Sequence, residues 1–331
     1  MATLKDIARA AGVSIATVSN VVNGTKAATP AVRRRVLAAI EGLGYVPNPH
    51  AKTLRTGQSR ALGLVVPDLT NPFFPALVQA VETTARARGH VLIVMDAGND
   101  AAREAEALAL LASYRVAGVI WVPVDDRPVP DLPYPLITVD RAIAGCDAVV
   151  SDHAQGGALI AEHALAQGHR RIALLSGPQQ LPSAAARRRG FLEALAGRAT
   201  VVWEHEVPFS GDLPPDVTRR LVRPECSLVV CPNDAVAVAV VRRAREVGLL
   251  VPADLAVTGF DDVPWADFVD PALTTVRQPL GALGARAVDM LRERIARPER
   301  PPRHETLPVE LVVRRSSALE HRGAPPRGAA A

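Results

Sequence analysis

The first 45 residues carry apolar positions at helical spacing, divided by turn signals into three segments. Thr3 can cap the first helix, Gly12 ends it, and Ser14 can cap the second. Thr29, followed by a proline that suits the first turn of a helix, opens the third. This part of the chain is therefore predicted to be a small all-helical unit.

From residue 61 onward, short apolar runs alternate with longer amphipathic stretches. Runs such as ALGLVV and RIALLS have no polar side, which is typical of parallel strands that are covered on both faces. The stretches between them predict helices over about 73–88, 100–113, 155–167, 183–196 and 234–247. Two such series predict two doubly wound α/β lobes, a fold that binds ligands at the carboxyl ends of its strands.

Two segments lack both patterns. Residues 46–60 contain two prolines and Gly57, and they have almost nothing to bury. A short helix could begin at Asn48, but an isolated helix of this length is marginal in water, so the local pattern leaves a plain linker equally open. The carboxyl end, residues 319–331, is predicted to be a disordered tail because it is rich in Gly, Ala and Pro.

The second predicted helix, residues 15–23, has two different faces. Its three valines form the stripe that packs on a neighbouring helix. The opposite face carries small, uncharged side chains, namely Ala16, Asn20 and Asn23, with Ile15 at the exposed amino end. A capped helix with such a face, after a tight turn, favours a helix-turn-helix whose second helix enters the major groove of DNA. The alternative is a three-helix bundle that does not bind DNA.

The charge is unevenly distributed between the two parts of the chain. Residues 1–60 have nine Lys or Arg against two Asp or Glu, a net charge of +7, and the other 271 residues carry −3. A basic head on a mildly acidic body indicates a polyanionic partner for the head alone, against the alternative of a randomly basic surface. The three cysteines are scattered and indicate no disulfide framework. Neither a secretory signal nor a membrane-length apolar run is evident, so a cytoplasmic protein without membrane attachment is expected.

Enzyme and metal motifs are missing from the sequence. It contains no G-x-G-x-x-G after a strand, no P-loop, no H-E-x-x-H and no G-x-S-x-G. Cys226 and Cys231 have no second pair or histidine set that would complete a metal site. We therefore expect no catalysis, no cofactor and no metal. A secreted solute-binding protein is also disfavoured, because it would need a signal peptide and no basic head.

Two stretches of the head, TLKDIARAAGVSIATVSNVVNG and TPAVRRRVLAAIEGLGYVPNPHAKTLRTG, resemble the DNA-binding region of the LacI/GalR family of bacterial transcriptional regulators. The similarity continues through CPNDAVAVAV and VTGFDDVPWADFVDPALTTVRQP to about residue 316. It implies an all-α three-helix helix-turn-helix head with a hinge helix, followed by a two-lobed α/β domain like the periplasmic binding proteins. The implied boundaries are 1–45 for the head, 46–60 for the hinge, about 61–151 and 278–305 for the N-lobe, and about 152–277 and 306–318 for the C-lobe.

The resemblance also implies DNA contacts. Ile15, Ala16 and Asn20 take the positions that face base edges, and Thr17, Ser19, Asn23 and the neighbouring basic residues are expected at phosphates. In the hinge, Leu54 takes the place of an apolar minor-groove wedge, and the DNA-contacting set also includes Lys52 and Arg55. Two hinges sharing one kink imply a homodimer on a palindromic operator in double-stranded DNA. A tetramer is not expected, because the carboxyl end has no leucine heptad.

A small-molecule effector between the lobes is the third implication. The polar contacts carried over are Asp140, Arg141, Arg187, Asn233, Asp261 and Gln278, and the apolar walls are Phe73 and Phe209. Many donors and acceptors beside an aromatic face suit a sugar, since each buried hydroxyl needs a partner. A nucleoside or purine corepressor is the alternative, disfavoured because Arg141 stands where a tryptophan would favour stacking. Whether the effector releases or tightens DNA binding is open.

Overall fold

The computed structural model describes residues 2–23, 28–45 and 59–318. The chain divides into two compact units, residues 1–59 and 60–331. Residues 24–27, 46–58 and 319–331 lie outside the described residues, and with them lie the predicted hinge helix, its residues Lys52, Leu54 and Arg55, and the predicted tail.

The first unit contains the three predicted helices, α1 (Leu4–Ala11), α2 (Ile15–Asn23) and α3 (Pro30–Gly42). The capping box at Thr3, the cap at Ser14 and the cap at Thr29 are all formed. The valine stripe of α2 packs inward as predicted: Val18 is fully buried in a small core, and Val21 and Val22 pack against it. Burial of this stripe is what presents the other face of α2 outward.

The second unit consists of two α/β lobes, as predicted. The sheet of the first lobe has six parallel strands in the order β11-β5-β4-β3-β1-β2. The strands are Ala61–Val66 (β1), Val91–Asp96 (β2), Gly118–Trp121 (β3), Leu136–Val139 (β4), Asp147–Ser151 (β5) and His304–Leu307 (β11). The helices of this lobe are Phe73–Ala87 (α4), Ala101–Ser113 (α5) and Leu280–Ala296 (α11).

The second lobe has four parallel strands in the order β7-β6-β8-β9. The strands are Arg171–Ser176 (β6), Thr200–Glu206 (β7), Leu228–Val230 (β8) and Ala256–Thr258 (β9). A separate antiparallel pair joins Thr275–Arg277 (β10) to Glu310–Val312 (β12). The helices are His153–Ala166 (α6), Pro182–Leu195 (α7), Pro215–Arg220 (α8), Asp234–Glu246 (α9) and Trp265–Phe268 (α10), and a 3-10 turn covers Arg315–Ser317.

The chain passes between the lobes three times: from β5 to α6, from β10 to α11, and from β11 to β12. Strand β11 pairs with β5 as far as Leu307, so the chain stays in the N-lobe up to this residue. The boundary between the lobes is expected after residue 305, which lies inside this strand. Helix α6 begins at His153, two residues earlier than its pattern predicts, because Asp152 caps it through a hydrogen bond from the Gln155 amide. That early start puts a histidine at the first crossing.

Candidate DNA-reading helix and ligand cleft

Helix α2 presents the side chains that the sequence places at base edges. Ile15 is 44% exposed although it is apolar, and Ala16 is also exposed. Asn20 and Ser19 are partly exposed, one turn further along. Thr17 is held by Ser14, whose hydroxyl lies 2.9 Å from its own and accepts the Thr17 amide at 3.1 Å. The exposed face is thus small and uncharged, which lets a helix lie deep in a groove. Asn23 ends α2, and its side chain lies outside the described residues.

Arg187, on α7, is the centre of a polar cluster between the lobes. Its Nη1 donates to the carbonyl oxygen of Pro232 at 2.6 Å, its Nε donates to His153 Nδ1 at 3.3 Å, and its Nη2 donates to Asp261 Oδ1 at 3.3 Å. The guanidinium also lies 3.7 Å above the ring centroid of Phe260. A planar fork with several donors can satisfy all of these directions at once, which a lysine ammonium cannot.

Asp261 follows the last strand of the C-lobe sheet and is buried. Its Oδ1 accepts a second hydrogen bond, from Gln278 Nε2 at 2.7 Å. Burial raises the pKa of Asp261 to about 7, although Arg187 and Gln278 oppose this rise. The carboxyl group therefore titrates near neutrality, in contact with two other predicted effector contacts.

This pKa gives a stability prediction. Because the folded pKa lies above the unfolded value of 3.8, the native state holds an extra proton between about pH 4 and 7, so stability falls as the pH rises through this range and is level above it. Between pH 5 and 7, the free energy of unfolding of the wild type should fall by about 2–3 kcal/mol more than that of Asp261→Asn, whose side chain cannot ionise. Thermal melts of both proteins over pH 5–8 measure the difference. Parallel curves would contradict the raised pKa. Asp234, whose pKa is also raised by burial, is present in both proteins.

His153 is a functional candidate that the sequence analysis missed. Its Nδ1 accepts from Arg187, so its Nε2 carries the proton and faces the carbonyl oxygen of Asp140 at 3.2 Å. The ring therefore joins an N-lobe residue, at the end of β4, to a C-lobe residue on α7. The sequence contains one signal for His153: it directly follows Asp152, which caps α6, at the first crossing between the lobes.

Asp140 and Arg141 complete the N-lobe side of the cleft, and both are buried. Burial alone would raise the pKa of Asp140, but His153 and the guanidinium groups of Arg141 and Arg187 lower it below its usual value. Arg141 donates through Nη1 to the carbonyl oxygens of Pro123 and Val124. This side of the cleft thus holds an ionised carboxylate beside two cations.

Three atoms of the cluster are buried without a hydrogen bond to any described residue: Asp140 Oδ1, Arg141 Nε and Gln278 Oε1. Two of these atoms have a neighbouring group without forming a hydrogen bond: His153 Nε2 lies 3.3 Å from Asp140 Oδ1, and Arg141 Nε lies 3.8 Å from Asp140 Oδ2. Buried polar atoms without partners are costly, and in native proteins they call for an explanation. A polar ligand could form the missing hydrogen bonds with these two acceptors and one donor.

The remaining predicted residues take different positions. Phe209 is partly exposed, 5.7 Å from the Arg187 guanidinium. Phe73 is buried in the N-lobe core, with its ring edge-on to Phe74. Asn233 caps α9 through Oδ1 and donates from Nδ2 to the Phe209 carbonyl oxygen at 3.1 Å, which uses one of the two donors of its amide and one of the two lone pairs of its oxygen. Phe260, which the prediction omitted, lies much closer to Arg187 than Phe209 does.

A close approach of α6 to α7 places Arg187 beside His153. At Gly157 on α6, an added Cβ would lie 2.1 Å from the carbonyl oxygen of Arg187. At Gly190 on α7, an added Cβ would lie 2.0 Å from the carbonyl oxygen of Ala154. Both positions lack room for any side chain, so the two backbones meet at distances that only glycine allows.

Residues 2–23, 28–45 and 59–318 contain no group of three or more His, Cys, Asp or Glu side chains arranged to hold a metal ion. Within these same ranges, none of the helices combines the length and apolar character needed to traverse a bilayer.

Two family models match the chain. Residues 3–48 match the model of bacterial regulatory proteins of the lacI family. Residues 161–317 match the periplasmic binding protein-like domain. The first match falls on the helical head, and the second covers most of the C-lobe together with helix α11 and strand β11 of the N-lobe.

Similar proteins cover the whole chain. The ribose operon repressor of Bacillus subtilis is 35% identical over 97% of this chain and 100% of its own length. The transcriptional repressor PurR of Photobacterium profundum is 31% identical over 96% of this chain and 98% of its own. Among solved structures, a lac repressor dimer bound to operator and the anti-inducer ONPF superposes with a TM-score of 0.85, at 29% identity, over 96% of this chain and 99% of that one. The resemblance seen in the sequence is confirmed, and this chain belongs to the LacI family of bacterial regulatory proteins.

Proposed function

We propose that this chain is a transcriptional repressor that binds a palindromic operator as a homodimer and is controlled by a sugar-type effector held between its two lobes. The observation that carries the effector class is a group of buried atoms that form no hydrogen bond with the described residues, namely Asp140 Oδ1, Arg141 Nε and Gln278 Oε1, beside Arg187 and Asp261. The observation that supports DNA binding is the outward face of α2, in a region, residues 1–60, with a net charge of +7.

A sugar fits the cleft because each hydroxyl both donates and accepts hydrogen bonds. Such a group can satisfy an acceptor such as Asp140 Oδ1 or Gln278 Oε1 and, in a different orientation, the Arg141 Nε donor. Burial of a polyhydroxylated ligand is favourable only where every hydroxyl finds a partner. The mixture of unmet donors and acceptors is therefore the property that selects this ligand class.

A nucleoside or purine corepressor is the second candidate. A base would need an exposed aromatic face on which to stack. The face of Phe260 is covered by the Arg187 guanidinium at 3.7 Å, and Phe73 is buried against Phe74. Of the three rings, Phe209 alone is partly exposed, so a base would have at most one ring to stack on. We therefore rank the sugar first. Asn233 is ranked below Arg187 and Asp261 as an effector contact, because half of the hydrogen-bonding capacity of its amide is used inside the protein.

On DNA, we assign base contacts to Ile15, Ala16 and Asn20. Asn20 can pair with an adenine edge, and the two apolar side chains can meet thymine methyl groups. Thr17, Ser19 and Asn23 would contact phosphates and set the register. Leu54, flanked by Lys52 and Arg55, would enter the minor groove between base steps, where kinking the duplex costs a few kcal/mol.

A dimer is supported by apolar surface in both lobes. In the N-lobe, β2 is an edge strand whose Val91 is 65% exposed, and in the C-lobe Phe268 is 82% exposed. Large exposed apolar side chains and an open strand edge are typical of association surfaces. We propose that the second copy covers them, that the protein acts in the cytoplasm, and that it has no catalytic activity.

Selection from random-sequence duplexes tests this function. The full-length protein is expected to enrich a palindrome and to bind it at least a thousandfold more tightly than scrambled duplex. A panel of pentoses, hexoses, nucleosides and purine bases is then tested for a change in melting temperature and in palindrome affinity, and a sugar is expected to change both. No enrichment of a palindrome, with or without the panel, would overturn the proposal. A response to purines alone would replace the sugar by the second candidate.

A further inference from the structure

Arg35 does not point away from the head with its neighbours in α3. Its Nε and Nη2 donate to the carbonyl oxygen of Ala11 at 3.0 and 2.7 Å, and Nη2 also donates to the carbonyl oxygen of Gly12 at 3.0 Å. These contacts join α3 to the end of α1, 23 and 24 residues earlier in the chain. One side chain thus holds both carbonyl groups at the start of the turn that leads into α2.

These carbonyl groups need such a partner. The last carbonyls of a helix have no intrahelical donor, and they form the negative end of the helix dipole. Backbone amides already bond to carbonyl oxygens earlier in the last turn of α1; the Val13 amide, for example, donates to the Ala8 carbonyl oxygen at 3.0 Å. Ala11 and Gly12 come next, and Gly12 is in the left-handed conformation, with φ +60°, that turns the chain toward α2. A guanidinium is suited to these two acceptors by both its charge and its fork shape.

We infer that Arg35 is a positioning residue of the DNA-binding head, which fixes the direction of α2 relative to α1 and makes no phosphate contact. The inference rests on the proposed DNA-binding function. Arg33, Arg34 and Arg35 lie in the same basic run and are all exposed, so the hydrogen bonds to Ala11 and Gly12, and not burial, distinguish Arg35. This proposal removes Arg35 from the basic residues expected at phosphates, because its Nε and Nη2 donate to backbone carbonyl oxygens.

The consequence for DNA is specific. Base readout by α2 depends on its angle in the groove, whereas non-specific attraction depends on total charge. Loss of the Arg35 hydrogen bonds to Ala11 and Gly12, with the positive charge retained, should therefore reduce the preference for a particular DNA sequence. Non-specific binding and its salt dependence should not change. Loss of a phosphate contact has the opposite signature, because it weakens binding to all sequences and lowers the salt slope by about 0.9.

The test uses the full-length protein and two DNAs, the palindrome enriched by the wild type and poly(dI-dC). Arg35→Lys keeps the charge but not the fork, and Arg34→Lys is the matched control on the same helix. Binding is measured by fluorescence anisotropy from 50 to 200 mM KCl. Arg35→Lys is expected to bind the palindrome about tenfold more weakly and poly(dI-dC) within about twofold of the wild type, with an unchanged salt slope, and Arg34→Lys to stay within about twofold on both. Equal behaviour of the two variants would overturn the inference.

A measurement on the wild type keeps the test independent of how the variants fold. In full-length protein labelled with ¹⁵N-arginine, the Arg35 Nε–H should exchange slowly with solvent before DNA is added. Its chemical shift should not change when the palindrome is added. Rapid exchange of this hydrogen, or a change in its chemical shift that appears only with DNA, would overturn the inference that Arg35 binds the backbone of α1. If the wild type prefers no palindrome, the proposed function fails, while this exchange measurement still decides where the Arg35 donors point.

Discussion

Replacing Gly190 with alanine should destabilise the two-lobed unit by about 3 kcal/mol or more. The new Cβ would lie 2.0 Å from the carbonyl oxygen and 2.7 Å from the carbonyl carbon of Ala154, which belong to the backbone of α6. Since a backbone cannot rotate aside as a side chain can, α6 and α7 must separate by more than an ångström. That movement would carry Arg187, three residues earlier on α7, away from His153, so effector binding should be lost together with stability.

Thermal melting of the full-length protein measures this effect, and a decrease on the order of 10 °C is expected. Gly281→Ala is the matched control, because it lies in α11 and an added Cβ there meets nothing within 4 Å. Alanine at that position should be neutral or stabilising by up to about 1 kcal/mol, through its higher helix propensity. Similar melting temperatures for the two variants would refute the close packing of α6 and α7.

Arg187→Ala is expected to abolish the response to the effector while leaving operator affinity in its absence within about twofold of the wild type. The change removes the hydrogen bonds to His153, Pro232 and Asp261, and it uncovers the ring of Phe260. Without this cation the pKa of Asp261 rises further, and the carboxyl group takes up a proton at neutral pH. The cleft then loses both its donor fork and its anionic acceptor.

The measurement is the ratio of operator affinities with and without the compound that shifts the wild type, and it should fall to 1 in the variant. Arg188→Ala provides the control, since Arg188 is the next residue on α7 but forms a surface ion pair with Glu204 at 2.6 Å. Such pairs contribute about 1 kcal/mol or less, so this variant should respond as the wild type does. A retained response in Arg187→Ala would remove Arg187 from the effector site.

Local features of the fold were predictable because their causes lie within a few residues. Thr3, Ser14 and Thr29 cap helices where the sequence places them, and the valines of α2 pack inward because their spacing matches one helix face. The apolar runs became parallel strands for the same kind of reason, since a run with no polar side must be covered on both faces. Family resemblance then supplied the candidate site.

Contacts between distant residues were harder to predict. Phe209 was expected as an aromatic wall, but Phe260 is the ring against which Arg187 packs, because α7 meets the end of the C-lobe sheet at that point. Asn233 is expected at the ligand, and the structure shows that its side chain also caps α9. A cap and a ligand contact use the same residue types, so the sequence pattern does not distinguish them.

By itself, the sequence determined the three-helix head, the two α/β lobes and the family, since each depends on periodicity, caps or extended motifs along the chain. The tertiary structure decided which way particular side chains point: Arg35 toward the turn between α1 and α2, His153 between Asp140 and Arg187, and Gly190 against the backbone of α6. The physical reason is that these roles depend on directed hydrogen bonds and close packing between residues far apart in the chain. Composition and spacing carry no information about such distances.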